Sequence, residues 1–187
     1  MSTPARAAWA IAPLLAAGLV HVAVLKGDFL PQLATPLDGG ASWRGRALLG
    51  PNKTLRGLLL MPAATAAAVR LQAAAEARSP RLAALSISGR GRRPWRVGFW
   101  LGLAYVAAEL PNSFVKRRLG IPAGGRASRL GGVLQYLADQ GDSVLGCLVM
   151  LRLLGRPPLA VLAVAGGLGF GVHSAVDVLM RVLGVRR

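Results

Sequence analysis

Five long apolar runs, separated by stretches that hold most of the charge, make up the pattern of this 187-residue chain. The first, Ala7–Leu25, approaches the ~20 residues a helix needs to cross a bilayer. It exceeds the about 7–15 apolar residues of a signal-peptide core, so it reads as a retained transmembrane helix. The second, Gly57–Ala75, is alanine-rich and interrupted by Arg70 and Gln72. It spans by tilting, with Arg70 snorkelling to the interface. The third begins at Val97 and ends where a polar cluster starts at Glu109, and Pro111 just beyond is expected to kink or end that helix. The fourth, Val133–Leu154, carries Asp139, Gln140 and Asp142 near its beginning, and Pro157-Pro158 separates it from the last, Leu159–Leu183. Only helices and closed barrels satisfy their backbone in lipid, and no period-2 pattern is visible. The pattern therefore predicts an all-α, polytopic membrane helix bundle of about five transmembrane helices, forming one domain over residues 1–187.

The intervening segments predict loops. Lys26–Arg56 is polar and rich in Gly and Pro, Glu76–Arg96 is a basic linker, and Lys116–Gly132 is a second basic loop rich in glycine. Slightly more than half of the 23 Lys and Arg fall on the side shared by the first loop, the last loop and the C-terminus. The positive-inside rule then puts those loops in the cytoplasm, with the N-terminus outside.

Composition narrows the partners. The chain is 53% hydrophobic and 16% charged, with a net charge of +16. A nucleic-acid binder would cluster its cations on a soluble surface with aromatics for stacking. Here they lie between apolar runs, which fits basic loops touching anionic lipid and no nucleic acid. The single Cys147 excludes an intramolecular disulfide and a cysteine-rich zinc site, and reads as a small packed hydrophobe.

The chemistry-bearing residues gather near two of the runs. Glu109, Asp139 and Asp142 are three of only seven acids, and they neighbour Lys116-Arg117-Arg118. Ionisable groups at a membrane boundary are costly, so both signs together mark a candidate site on a phosphorylated molecule. Asp139 and Asp142, three apart, share a helix face and could ligate Mg²⁺ or merely cap the start of their helix. Glu109, Ser113 and Lys116 share a face if the helix continues past Pro111; a break would instead expose amides to an anion. The run Lys116–Arg118 could equally be a positive-inside anchor. The segment Gly50-Pro-Asn-Lys-Thr-Leu-Arg-Gly57 suits phosphate but lacks P-loop spacing. Asp38-Gly39-Gly40 reads as a turn. His173 and Asp177, i and i+4 in the last run, read as a pair that holds the bundle together rather than a site.

Taken in order, GPNKTLRG, ELPNSFVKRRLGI and DQGDS resemble the CDP-archaeol synthase family, within the wider membrane-bound phosphatidate cytidylyltransferases. The matching residues are Asn52-Lys53-Thr54 with Gly57, Glu109, Ser113, Lys116-Arg117, the Gly124–Gly132 region, and Asp139 with Asp142. Asp38 and His173 also stand where the family carries an aspartate and a histidine. Glu109 replaces a more usual aspartate, and Asn112 stands where phosphatidate enzymes often have glutamate. The resemblance implies transfer of a cytidylyl group from CTP to a membrane lipid phosphate. Glu109, Lys116, Arg117, Asp139 and Asp142 would be catalytic. Lys53, Thr54, Ser113 and Arg118 would bind substrate, and Mg²⁺ would sit on Glu109, Asp139 and Asp142. An active site facing the cytoplasm is implied, and a homodimer is compatible with it. The alternative is an inactive membrane protein of the same fold that binds nucleotide or lipid headgroup.

Overall fold

The computed structural model describes residues 1–86, 93–125 and 129–184. Parts of the basic linker and of the Gly124–Gly132 stretch, and the last three residues, lie outside them. Among the described residues six α-helices follow one another: α1 (Thr3–Lys26), α2 (Leu55–Arg78), α3 (Pro80–Ala83), α4 (Pro94–Arg118), α5 (Arg129–Gly155) and α6 (Leu159–Val182). Five of them have 24 to 27 residues, so at 1.5 Å per residue each exceeds the ~30 Å hydrocarbon thickness. By composition as well as length, α1, α2 and α6 are apolar enough to cross a membrane. Helices α4 and α5 are as long but give part of their length to the charged cluster.

The long helices pack in a closed ring in the order α1, α2, α4, α5, α6 and back to α1, with α1 also touching α4 across it. Small residues set the closest approaches. On α4, Gly98 and Gly102 form a G-x-x-x-G face against α2, where a Cβ on Gly98 would lie 2.5 Å from the Thr65 carbonyl oxygen. One on Gly102 would lie 2.6 Å from both the Met61 carbonyl oxygen and the Pro62 Cα. On α5, a Cβ on Gly146 would lie 2.5 Å from the Ala108 Cβ of α4. In lipid, where apolar surface alone does not drive helices together, such backbone approach supplies the packing energy. Around these contacts sit Val69, Val97, Leu101 and Leu151 in one cluster and Ala17, Met61 and Val106 in another. Outward-facing Leu19, Leu59, Leu145, Val149 and Val178 remain exposed, as lipid-facing residues would be.

Two polar groups of α1 are matched by α2. Pro13 has no N–H for the carbonyl of Trp9, and Gln72 of α2 donates to that oxygen at 2.6 Å. The Trp9 indole in turn donates to Glu76 at 2.7 Å. Of the two outcomes expected at Pro111, a kink or an end, the end is corrected, because α4 runs through it to Arg118. A proline inside a membrane helix is tolerated where neighbours hold the helix on both sides. The real stop is Gly120, whose φ of 77° is available at little cost to glycine. Gly120 N–H returns to the Arg117 carbonyl (3.2 Å) and Ile121 N–H to that of Lys116 (2.9 Å), a Schellman ending.

Between α1 and α2 lies an ordered loop with a short antiparallel hairpin, β1 (Ser42–Trp43) and β2 (Arg46–Ala47). Asp38 organises it, accepting from Leu49 N–H (2.8 Å), Gly50 N–H (3.1 Å) and Gly40 N–H (3.0 Å). These backbone donors, that of Leu49 foremost, hold its carboxyl below the ordinary aspartate value.

Candidate active site

Two helix faces and one loop end build the site. The continuing turns of α4 put Glu109, Asn112 and Lys116 on one face, and it meets Asp139 and Asp142 of α5. Those aspartates stand about three turns inside α5, which begins at Arg129. The capping alternative for them therefore falls away. Lys53 enters from the residue preceding Thr54, the N-cap of α2.

The charges are paired across elements. Lys53 Nζ meets Glu109 Oε2, with the two side chains only 21% and 20% exposed. Lys116 Nζ lies 2.6 Å from Asp139 Oδ1, both side chains 16% exposed. The Asn112 amide donates to Asp139 Oδ1 at 2.7 Å and to Asp142 Oδ2 at 2.9 Å. Asp142 Oδ1 also accepts from Ser143 N–H at 2.6 Å. Pairs this desolvated need good geometry to repay burial, and they leave cations within reach of any anion that competes for them.

In this arrangement Glu109 pairs with Lys53 rather than standing with the two aspartates. Among the described residues no three His, Cys, Asp or Glu side chains converge on one point. Two hard oxygen ligands on one helix face still fit Mg²⁺, which keeps several waters and completes its shell with substrate phosphates.

The remaining predicted residues divide. Ser113 and Arg117 are buried on α4 beneath this face. Thr54 Oγ1 accepts from Gly57 N–H at 3.4 Å, a helix cap. Arg118 points away from the acids. Its guanidinium donates to the carbonyls of Trp43 (2.6 Å), Arg46 (2.9 Å) and Ala47, and lies 5.3 and 5.1 Å from the Trp43 and Phe114 ring centres. It clamps the hairpin onto α4. Asp38 is likewise used by the loop. On α6, Asp177 pairs with Arg181, while His173 presents Nδ1 to the Gln140 carbonyl of α5 at 3.2 Å.

Sequence reasoning missed two contributors. Asn112 registered there only as a substitution for an acid, although its amide joins both aspartates. His21 of α1 carried no local signal. Its ring lies beside the first turn of α2, at an ordinary contact distance of 3.6 Å from a Cβ placed on Gly57. Beside the site, an apolar cavity of about 70 Å³ lies between α1, α5 and α6, lined by Leu14, Gly18, Tyr105, Cys147, Gly169 and His173 among others.

Membrane-length helices closing around buried Lys–carboxylate pairs place this chain in the class of integral membrane proteins with a charged site among their helices. Residues 9–187 match the family described as CarS-like, CDP-archaeol synthase. The chain belongs to that family. It is 33% identical over 186 residues to a CDP-archaeol synthase of Aeropyrum pernix, covering 96% of this chain and 94% of the relative. It is 32% identical to one of Halobacterium salinarum (96% and 93% covered) and 30% identical to one of Methanosphaerula palustris (81% and 87%). No solved structure matches the chain.

Proposed function

We propose that this chain transfers a cytidylyl group from CTP to the phosphate of a membrane-embedded glycerol lipid, releasing pyrophosphate and leaving a CDP-activated lipid. The observation that carries this reading is the bridged Asp139–Asp142 pair with Lys116 beside it and Lys53–Glu109 on the same helix face. Family membership supports the same chemistry, and the relatives' names point to an archaeol-type lipid.

In this reaction a lipid phosphate oxygen forms a bond to the α-phosphorus of CTP as the bond to the bridging oxygen of the pyrophosphate breaks. The nucleophile is already anionic, so no general base is required. The site has to bring two anions together and offset charge on the leaving group. Lys53 and Lys116 exchange their carboxylate partners for phosphate oxygens, and Arg117 adds a fixed cation below them. Thr54, whose oxygen caps α2, retains its own hydrogen to donate to a phosphate, and Ser113 can donate likewise. Asp139 and Asp142 would hold Mg²⁺, with Glu109 balancing Lys53. When bound, the cation supplies Lewis-acid withdrawal of charge from the phosphates. The cavity beside Tyr105 and His173 suits an apolar chain. The distribution of Lys and Arg supports a site facing the cytoplasm.

The test is incubation of detergent-purified protein with Mg²⁺, α-phosphate-labelled CTP and a panel of isoprenyl- and acyl-glycerol phosphates, alongside Asp142→Asn. Label in the lipid phase, lost in the variant, is the expected result and names the lipid class. Folded protein that labels no lipid would overturn the proposal for that panel.

A further inference from the structure

We infer that Asn112 is a positioning residue, the strut that holds Asp139 and Asp142 convergent so that two carboxylates suffice for a divalent cation. This rests on the reading of the aspartates as the cation site. An amide nitrogen has two hydrogens, and here they go to two different carboxylates, at 2.7 Å and 2.9 Å. The acceptors are both anionic, which dictates that the nitrogen rather than the oxygen of the amide faces them.

The bridge does three things. It ties together two side chains three residues apart that would otherwise repel and splay. It does so without adding charge, which an acid at the same position would. It also spans two helices, so the rotation of α4 on α5 and the spacing of the carboxylates become one variable. Asp139 accepts from Asn112 and Lys116, and Asp142 from Asn112 and Ser143. A carboxylate has about four lone-pair positions, so each retains capacity to ligate. Groups that orient ligands in this way typically set metal affinity by about 10–100-fold.

The experiment measures Mn²⁺ binding to the full-length protein in detergent by electron paramagnetic resonance, with and without CTP, together with Mn²⁺-dependent melting. Asn112→Ala is expected to weaken Mn²⁺ binding about 10–100-fold while its metal-free circular dichroism matches that of the parent. Should Asn112→Ala fail to fold, the near-isosteric Asn112→Asp serves. It is expected to melt lower than the parent without metal and to gain more on Mn²⁺ addition, because a third anion then faces the pair. Unchanged Mn²⁺ affinity in folded Asn112→Ala, an unchanged Mn²⁺ response in Asn112→Asp, or a parent protein that binds no Mn²⁺ would each overturn the inference. A parent that binds Mn²⁺ but labels no lipid would instead count against the transferase reading and leave the role of Asn112 standing.

Discussion

Gly102→Ala separates the packing of this bundle from its chemistry. The added Cβ would lie 2.6 Å from the Met61 carbonyl oxygen and from the Pro62 Cα. Ordinary contact needs about 3.5–4.0 Å, and both neighbours are backbone, so α4 and α2 must part by about 1 Å. Overpacking of this kind costs about 1–3 kcal/mol. Alanine's better helix propensity returns up to ~1 kcal/mol of it. Glu109 lies two turns along the same face, and the shift carries Asn112 and Lys116 with it while Lys53 stays on the α2 side. A displacement near 1 Å at a reacting centre lowers turnover by about 10²-fold. The assay pairs lipid labelling with detergent melting for Gly102→Ala, and for Gly167→Ala of α6, where an added Cβ meets nothing within 4 Å. The expected outcome is a large loss of turnover with a lowered melting temperature for the first and neither for the second. Parent-like turnover and melting in Gly102→Ala would refute the claim that glycine contact sets the position of the α4 face.

Lys116→Ala leaves Asp139 partly buried without its cation, and breaking such a pair costs up to about 3–5 kcal/mol; reduced kcat/KM for CTP and a lowered melting temperature are expected, and Lys116→Arg should recover stability more than turnover. The Asp38 carboxyl is held below its ordinary value by backbone donors, so its contribution to loop stability is complete above the unfolded-state value and lost as pH falls through the lowered folded-state value. Limited proteolysis of residues 27–54 should therefore accelerate with acid in the parent and be fast and nearly pH-independent in Asp38→Asn. Arg118→Ala removes the guanidinium from three hairpin carbonyls and two aromatic rings; faster cleavage at the hairpin is expected, with a smaller effect on kcat than that of Lys116→Ala.

The helical architecture was legible along the chain because it is a local property, and the candidate residues could be singled out for the same reason. An apolar run near bilayer length has one way to satisfy its backbone, so five runs mean five long helices. Acids are so rare in this chain that Glu109, Asp139 and Asp142 stand out without further information. The spacing of Asp139 and Asp142 fixes a shared face once α5 is helical.

The partners of those residues were decided only in three dimensions. Pro111 reads as a break because proline loses a backbone bond, yet α4 passes through it with α2 and α5 packed on either side. Continuity of α4 then puts Asn112 between two aspartates and Lys116 on Asp139, which no motif spacing encodes. The three acids expected on one ion separate into Glu109 with Lys53 and an aspartate pair under an amide. Arg118, adjacent to Arg117 in sequence, turns to the hairpin because successive helical residues point about 100° apart. Apolar length and charge rarity are written residue by residue. The rotation of one helix against another is set by where backbones can touch, at Gly98, Gly102 and Gly146, and that becomes visible only when the ring is closed.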